Sequence, residues 1–417
     1  VQINQLTQDF YTARFPGSWS QTYLVDRFGA DLAGHPLVRP GHAPAGWTNL
    51  IQHLRRQGVT DTEMLTAGVA RTASTGRLID QFRDRITFPI TNPERAILGF
   101  VARRNPTAPD DRTAGPKYLN TAETPLFHKG DQFYGTHRAG TIPVIVEGPL
   151  DAIAVTLGSH ARYTGLAPLG TSLTSQQAAL LHGHTDVVIA TDADLAGHVA
   201  AERDYWQLTP HGIDPRRAAF PEGTDPADQL ISQGVNALTN TLDTAGPMAH
   251  QMITERTNNL PPAQALDQAA QVAAARPPQH WDTDSETIAQ RLQASLATVR
   301  EALARHTRTW NQDPQQAADR IMFRSTDVRR RLETAARATR WTEVVNQIDP
   351  RLTKQPDWPA LARTIQQAHE AGYDTETAVR LLARPDQASH RPAAELRARL
   401  TTTLDLTDEH TSRPGRP

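Results

Sequence analysis

The middle of the chain alternates short apolar strands with helices, and this alternation limits the possible folds more than any other feature of the sequence. A strand in PVIVEG, starting at residue 143, precedes a helix in LDAIAVTLG. The next strand, in DVVIATDAD, precedes an Ala-rich helix that continues to about Leu208, and RRAAF predicts one more strand. Strands and helices of these lengths in alternation predict a parallel sheet covered by helices on both faces.

The segments on either side of this sheet predict further domains. Before it, RITFPI and AILGFVAR indicate two strands joined by the turn TNPER. After it, the apolar spacing from Ile288 to Leu303 predicts one amphipathic helix. Trp358, Leu361 and Ile365 mark another helix. The fold class is therefore α/β plus α, and the predicted division is a basic α+β subdomain at 1–139, the parallel-sheet domain at 140–232, a helical subdomain at 233–310, and a helical C-terminal region with a disordered tail at 311–417.

The composition excludes membrane-spanning and thiolate-based classes of protein. Hydrophobic residues make up 38% of the chain, and no apolar run approaches the roughly 20 residues that cross a bilayer. The chain has no cysteine, which rules out disulfides and cysteine-bound zinc. We therefore expect a cytoplasmic protein that needs neither a membrane nor zinc.

Charge is divided unevenly along a chain whose net charge is only −2. Residues 1–140 contain 16 Lys and Arg against 12 Asp and Glu, a balance of +4. Residues 141–232 contain 4 against 11, a balance of −7. A basic segment beside an acidic one is typical of a phosphate-binding surface next to a cation site, although uneven surface charge explains it equally well.

Acidic side chains follow three of the predicted strands. Because the carboxyl ends of parallel strands meet at one edge of a sheet, these side chains should converge there. Carboxylates that converge repel one another unless a cation holds them, and such hard oxygen ligands suit Mg²⁺ or Mn²⁺. The alternative is that each acid caps a helix or an Asx-turn, which Asp does routinely. The acids are Glu147, Asp151, Asp192, Asp194, Glu222, Asp225 and Asp228.

Several phrases resemble a known family in their order along the chain. EGPLDAI, then DADLAGHVAA, then GTDPAD resemble a Toprim domain, the metal-dependent unit of bacterial primases, topoisomerases and certain nucleases. LAPLGTSLT is typical of DnaG-type primases, and so are the upstream phrases APAGWTNLIQHL, FRDRITFPI and KYLNTAETPLFHKG. The similarity covers roughly residues 20–232.

This resemblance implies a DNA-directed RNA polymerase of primase type, a nucleotidyltransferase that makes short RNA primers during DNA replication. The implied catalytic residues are Glu147, Asp192 and Asp194, and the implied ligands of Mg²⁺ or Mn²⁺ are these three with Asp151 and Asp225. The implied partners are a single-stranded DNA template, ribonucleoside triphosphates and, within a primosome, a replicative helicase. The residues implied to bind nucleotide or DNA are Arg83, Arg85, Arg103, Lys117, Asn120 and Lys129.

Two lysines support the implied basic groove. The chain uses three lysines against 40 arginines, and two of the three, Lys117 and Lys129, lie in the matching region. Their position favours specific phosphate contacts, whereas any single arginine of the set is equally explained by a local ion pair, since Arg83 and Arg85 flank Asp84.

The sequence also departs from the family. Ala193 stands where the family has Gly between the paired aspartates, and the last acidic turn reads DPA where many relatives have DPD. The Cys/His zinc module of family members has no counterpart in these residues. A topoisomerase is disfavoured, because it would need a large gate domain with a nucleophilic Tyr. A Toprim nuclease is disfavoured, because it would lack the KYLN and FHKG region. The alternative that stays open is a non-catalytic nucleic-acid-binding or interaction module with a Toprim fold, and a mobile element is a candidate origin for either.

Overall fold

The computed structural model describes the chain as two units, residues 1–319 and 320–417. The residues it describes are 1–417 without 109–114, 171, 193–194, 222, 323–340, 343, 356, 371–372, 384–391 and 405–417. No helix among them has the length and apolarity needed to cross a membrane.

The first unit begins with four helices around a small antiparallel sheet. The helices are α1 (Gln2–Thr12), α2 (Trp19–Phe28), α3 (Asn49–Arg56) and α4 (Asp61–Thr66). The strands are β1 (Gly41–Ala43), β2 (Ala70–Thr72), β3 (Leu78–Asp80), β4 (Arg85–Thr91), β5 (Ile97–Arg104) and β6 (Tyr118–Asn120). The sheet order is β1-β4-β5-β6, and β2 pairs with β3 alone.

The two strands predicted from RITFPI and AILGFVAR are confirmed as β4 and β5. They pair antiparallel with Phe88 opposite Val101. Apolar residues along both strands are buried, because one face of the sheet packs on the helices and the other on the second sheet. The turn between the strands closes through Arg95, whose φ of 66° is left-handed.

The second sheet is the predicted parallel one, with antiparallel strands added at its edges. Its strands are β7 (Phe133–Tyr134), β8 (Ile142–Val146), β9 (Tyr163–Pro168), β10 (Val188–Ala190), β11 (Arg216–Arg217) and β12 (Gly246–Pro247). The order is β12-β11-β10-β8-β9-β7; the four central strands are parallel to one another, and the two edge strands are antiparallel to them. The strand predicted from RRAAF is confirmed only for its first two residues. The helices of this region are α5 (Pro149–Leu157), α6 (Ser175–Ala179), α7 (Leu195–Leu208), α8 (Pro226–Gln233) and α9 (Val235–Asp243).

The single helix predicted from Ile288 to Leu303 is wrong, because the chain forms two helices there. Gln293 has a left-handed φ of 51° and ends the first helix. Ser295 then starts the second, since its hydroxyl accepts a hydrogen bond from the backbone N–H of Thr298 at 3.1 Å. The helical region consists of α10 (Met248–Asn259), α11 (Pro262–Ala274), α12 (Trp281–Leu292) and α13 (Leu296–Gln312), and residues 314–322 are also helical.

The second unit contains its own helical core. The predicted helix that carries Trp358, Leu361 and Ile365 is confirmed, and all three side chains are buried. Asp374 caps the next helix through the backbone N–H of Thr377. The long helices of this unit are Trp358–Glu370, Thr375–Leu382 and Pro392–Thr403.

A buried arginine ties the helical region to the edge of the parallel sheet. Arg276, directly after α11, donates to Asp284 of α12 at 2.7 Å and to Asp214, just before β11, at 2.9 Å. Its side chain and that of Asp284 are each only 1% exposed. A buried cation between two carboxylates is costly to remove, because both carboxylates lose the guanidinium that they share.

We predict that Arg276→Met lowers the free energy of unfolding by about 3–5 kcal/mol. The matched control is Arg300→Met, which removes an exposed pair with Asp282 at 2.9 Å and should cost at most about 1 kcal/mol. Urea denaturation of both variants measures the difference. Equal losses in the two variants would show that the buried cation is not what fixes the helical region.

Candidate active site at the strand ends

Parallel pairing of β8 with β10 brings two acids to the same edge of the sheet. Val146 lies opposite Ala190, so Glu147 and the Thr191–Asp192 turn leave the sheet side by side. The backbone N–H of Asp192 donates to Oε1 of Glu147 at 3.1 Å. Asp194, the second residue of the predicted pair, lies outside the described residues, and so does Glu222.

The turn after β10 is held tightly against α7. The Thr191 hydroxyl donates to the carbonyl of Gly197 at 2.9 Å. A Cβ at position 197 would lie 2.1 Å from the carbonyl oxygen of Asp192, so only glycine fits there. The packing of α7 therefore fixes the backbone from which Asp192 projects.

Asp151 is the buried member of the acidic cluster. It lies in the first turn of α5, is 9% exposed, and its Oδ1 has no hydrogen-bond partner within the described part of the chain. Burial, followed by the negative charges of Asp225 and Asp192, raises the pKa of this carboxyl to about 8. Arg27 and the backbone N–H of Ala227 act in the opposite direction.

The third acidic turn is paired with a cation from the chain itself. Arg27 of α2 donates to both oxygens of Asp225, at 3.0 and 2.9 Å, and also to Asp228. Asp225 caps α8 as well, because its side chain accepts the backbone N–H of Asp228 at 2.6 Å. The helix-cap interpretation left open for these acids therefore describes Asp225, which in addition forms an ion pair.

The acidic side chains suit a hard cation, and Asp151 gives the specific observation. A buried carboxylate oxygen without a partner, beside like charges, is favoured in its ionised form only when a cation is close. Within the described ranges, which omit Asp194, no three acidic or His side chains already lie close enough together to hold an ion. The described residues that would hold a cation at this edge are Glu147, Asp151 and Asp192.

The basic sheet reaches the same edge through Tyr118. Arg103 of β5 donates to the Tyr118 hydroxyl at 2.9 Å. That hydroxyl lies 3.9 Å from where a Cβ would stand at Gly148, the residue after Glu147. The Lys117 ammonium, exposed, lies 5.9 Å from the centre of the Tyr118 ring.

Asn120 and the turn that carries Lys129 also contact the end of the parallel sheet. The Asn120 amide donates to the carbonyl of Leu169, just after β9, at 2.6 Å. The hydroxyl of Thr174 donates to the carbonyl of Gly130 at 2.5 Å. The side chain of Lys129 is exposed beside this contact. Four of the six predicted binding residues of the basic half therefore approach the carboxyl edge of the second sheet: Arg103, Lys117, Asn120 and Lys129.

Arg83 and Arg85 differ in their surroundings. The Arg83 guanidinium stacks at 3.8 Å over the ring of Trp47, whose side chain is 60% exposed. Arg85 is 4% exposed and donates to the carbonyl of Pro116 at 2.9 Å. Burial, followed by repulsion from Arg104 and Arg83, lowers its pKa to about 10. The structure thus places Arg85 beneath the surface, as a support for the strands.

Sequence reasoning missed Arg27 and Tyr118. About 200 positions separate Arg27 from the acids it pairs with, and no local pattern joins them. Tyr118 was part of the quoted KYLN phrase, but nothing in its spacing indicated a hydrogen bond to Arg103. An aromatic residue between two predicted binding residues was the one available signal.

Comparisons with known proteins agree with this geometry. Residues 13–140 match a family described as the DNA primase catalytic core, N-terminal domain, and residues 144–230 match a Toprim-like family. The DNA primase of Deinococcus radiodurans is 34% identical over 242 residues, which are 55% of this chain and 40% of that protein. The DNA primase of Streptomyces coelicolor is 31% identical over 272 residues, or 61% and 41%. The chain thus spans about two fifths of the length of these relatives.

Two solved structures of primase domains are also similar to this chain. A DNA primase domain from Pseudomonas aeruginosa aligns with a TM-score of 0.60 and 26% identity, over 73% of this chain and all of that one. The RNA polymerase domain of Mycobacterium tuberculosis primase DnaG, solved with double-stranded DNA, aligns with a TM-score of 0.59 and 25% identity, over 70% and 98%. Through residues 13–230, the chain therefore belongs to the family of DnaG-type primase catalytic cores.

Proposed function

We propose that this chain synthesises short RNA primers on single-stranded DNA, as a metal-dependent nucleotidyltransferase. The observation that carries the proposal is the meeting of Glu147, Asp151 and Asp192 at one sheet edge with the Arg103–Tyr118 pair. Carboxylates beside a basic surface suit a reaction in which cations and phosphates meet. A related domain has been solved with DNA, which supports nucleic acid as the ligand.

The carboxylates hold the cations in this proposal. Glu147, Asp151 and Asp192, together with Asp194, bind Mg²⁺ or Mn²⁺, and Asp225 contributes negative charge from its pair with Arg27. A cation held by these residues would supply positive charge that lowers the pKa of an attacking 3′-hydroxyl and offsets the charge of the leaving pyrophosphate. The strand ends and the close packing at Gly197 hold Glu147 and Asp192 in place during the reaction.

The basic half holds the template and the incoming ribonucleoside triphosphate. Lys117 and Lys129 are exposed and flank the carboxyl edge. Arg83 with the exposed Trp47 offers a cation and an aromatic face together, a combination that suits unpaired bases. Arg85 and Asn120 act indirectly, since each bonds to a backbone carbonyl.

The remaining assignments follow from this activity. The substrates are ribonucleoside triphosphates, and the location is the cytoplasm. We assign the basic subdomain to residues 1–139, the catalytic sheet to 140–232, and a supporting helical subdomain to 233–310. Residues 311–417 are the candidate surface for a replicative helicase within a primosome.

We predict that Asp192→Asn lowers primer synthesis by at least about 100-fold, because a neutral amide binds a hard cation poorly. Incorporation of labelled ribonucleotides on single-stranded DNA, with Mg²⁺ or Mn²⁺, measures the loss. The matched control is Asp282→Asn, which neutralises an exposed carboxylate in α12 and should retain full activity.

Two outcomes would contradict the proposal. Full activity in Asp192→Asn would show that the carboxylates do not hold the cations of the reaction. Binding of single-stranded DNA by the unmodified chain with no incorporation under any of these conditions would instead favour the non-catalytic module.

The raised pKa of Asp151 predicts a pH-dependent stability. Between about pH 4 and pH 8 the folded protein keeps this proton and the unfolded chain loses it, so stability falls as pH rises. Asp151→Asn has no proton to lose, and its stability relative to the unmodified chain should rise by about 1–3 kcal/mol from pH 5 to pH 8. Urea denaturation in EDTA measures this difference. Identical pH slopes in the two proteins would show that Asp151 is ionised in the fold without a cation.

We predict that Lys117→Ala with Lys129→Ala weakens binding of single-stranded DNA and reduces its salt dependence. Each lost phosphate contact lowers the slope of log K against log salt by about 0.7, so the pair should lower it by about 1.4. The melting temperature should barely change, since both side chains are exposed. Lys354→Ala, which removes the third lysine of the chain, is the control. An unchanged slope in the double variant would make these lysines ordinary surface charges.

A further inference from the structure

A cavity lies at the end of the parallel sheet opposite the acidic cluster. It has a volume of about 700 Å³ and is lined by α1, residues 34–39 and the β4–β5 turn on one side. Residues 134–139, the end of α5 and the start of β9 line the other side. A volume of this size is in the range of small-molecule sites, about 300–1,000 Å³.

This cavity is separate from the strand ends that carry the acidic cluster. Thr164 and Gly165, which line it, lie in the first half of β9, and Thr156 lies in the last turn of α5. Ile142, the first residue of β8, pairs with Tyr163, so the amino ends of the strands face this side. Glu147 follows the carboxyl end of β8, five residues or about 16 Å farther along the strand.

Three arginines give the cavity its charge. Arg39, Arg95 and Arg138 all line it, and none forms an ion pair with a carboxylate in the described part of the chain. The one acidic residue in the lining is Asp9, which accepts a hydrogen bond from Gln5 at 2.8 Å. Unpaired guanidinium groups around a concave surface favour a phosphorylated ligand, because guanidinium binds phosphate in a two-point geometry.

Two of these arginines occupy a costly backbone conformation. Arg39 has a φ of 47° and Arg95 a φ of 66°, a region that disfavours residues with a Cβ. Each turn is closed by a backbone hydrogen bond, from Arg39 to His35 at 2.9 Å and from Arg95 to Asn92 at 2.9 Å. Both arginines are therefore presented from tight turns whose backbone is fixed.

Neutral polar groups line the same space. The Gln8 side chain is 1% exposed, and its amide nitrogen donates to the carbonyl of Arg39 at 2.8 Å. Its Oε1 has no partner among the residues that the structure describes. The hydroxyls of Thr91 and Thr136, from the two sides of the cavity, hydrogen-bond to each other at 3.0 Å. A buried amide oxygen without a partner suits a ligand that brings a donor, such as a sugar hydroxyl or the amino group of a base, as well as phosphate.

Apolar residues complete the lining. Pro36, Leu37 and Pro93 belong to it, and the Leu37 side chain is 42% exposed. Apolar lining residues next to cations favour a nucleotide over inorganic phosphate, because only the nucleotide has a base whose ring face can cover them.

We infer that this cavity binds a nucleoside polyphosphate at a site separate from the proposed catalytic site. The phosphates contact Arg39, Arg95 and Arg138, and the base lies against the Pro36–Leu37 segment and Pro93. Arg39 precedes β1 and Arg95 lies between β4 and β5 of the antiparallel sheet, whereas Arg138 lies between β7 and β8 of the second sheet, so one ligand contacts both sheets of the first unit. Occupancy therefore stabilises their association by mass action.

The test is calorimetric binding of ATP, ADP and pyrophosphate to the full chain in EDTA, which suppresses cation-dependent binding at the carboxylates. ATP and ADP should bind, and pyrophosphate should bind more weakly. Arg39→Ala with Arg138→Ala should weaken ADP binding by at least about tenfold. The control Arg56→Ala with Arg77→Ala, which removes two exposed arginines elsewhere on the first unit, should not change it. Asp192→Asn should bind ADP as tightly as the unmodified chain does. Failure of the catalytic proposal can then be distinguished from failure of this inference.

Hydrogen exchange locates the ligand. With ADP in EDTA, protection should rise in residues 34–39 and 134–139 and stay unchanged in residues 147–151. Arg95→Ala is a second variant, since its exposed side chain can be removed without disturbing the core, and it should also weaken binding. No ADP binding, equal losses in the test and control variants, protection confined to residues 147–151, or pyrophosphate binding as tight as that of ADP would each overturn the inference.

Discussion

The parallel register of β8 and β10 is the constraint on which the site depends. With Val146 opposite Ala190, the chain must leave both strands at one edge, and Glu147 and Asp192 meet there. Such a meeting of negative charges is unfavourable until something compensates it. Glu147 accepts the backbone N–H of Asp192, and the neighbouring carboxyls have their own compensation: Arg27 pairs with Asp225, the Ala227 N–H bonds to Asp151, and burial raises the pKa of Asp151 so that it keeps its proton.

Residues from the antiparallel sheet and the parallel sheet meet at this carboxyl edge. The antiparallel sheet supplies Arg103, Tyr118 and Asn120, and the parallel sheet supplies the carboxylates. The Asn120–Leu169 hydrogen bond, at 2.6 Å, joins β6 to the end of β9. A basic surface and an acidic cluster are thereby held at fixed spacing by hydrogen bonds from side chains to backbone carbonyls, which charge attraction across solvent would not achieve.

The sequence predicted the parts of this arrangement that depend on local patterns. Apolar strands that end in acids predicted the parallel sheet and its carboxyl edge, and RITFPI with AILGFVAR predicted β4 and β5. It did not predict Arg27, because an ion pair between α2 and α8 follows from tertiary packing rather than from spacing. The sequence also placed Arg85 among the residues of the basic groove, because the residue type does not show that its side chain is buried. The false helix from Ile288 to Leu303 arose because an apolar stripe can continue across a break, and only the left-handed Gln293 and the Ser295 cap reveal it.

Arg27 shows how the departure from the family pattern is accommodated. The last acidic turn has Ala227 where many relatives carry a second aspartate, and Ala227 is buried while its N–H bonds to Asp151. Asp225 accepts three hydrogen bonds from residues that the structure describes, two from Arg27 and one from the Asp228 N–H. A cation that bound Asp225 would have to displace the guanidinium or share the carboxylate with it, and repulsion between the two positive charges opposes sharing. In the proposed site the cation is therefore assigned to Glu147, Asp151 and Asp192 together with Asp194, and the third turn acts mainly as an anchor between α2 and α8.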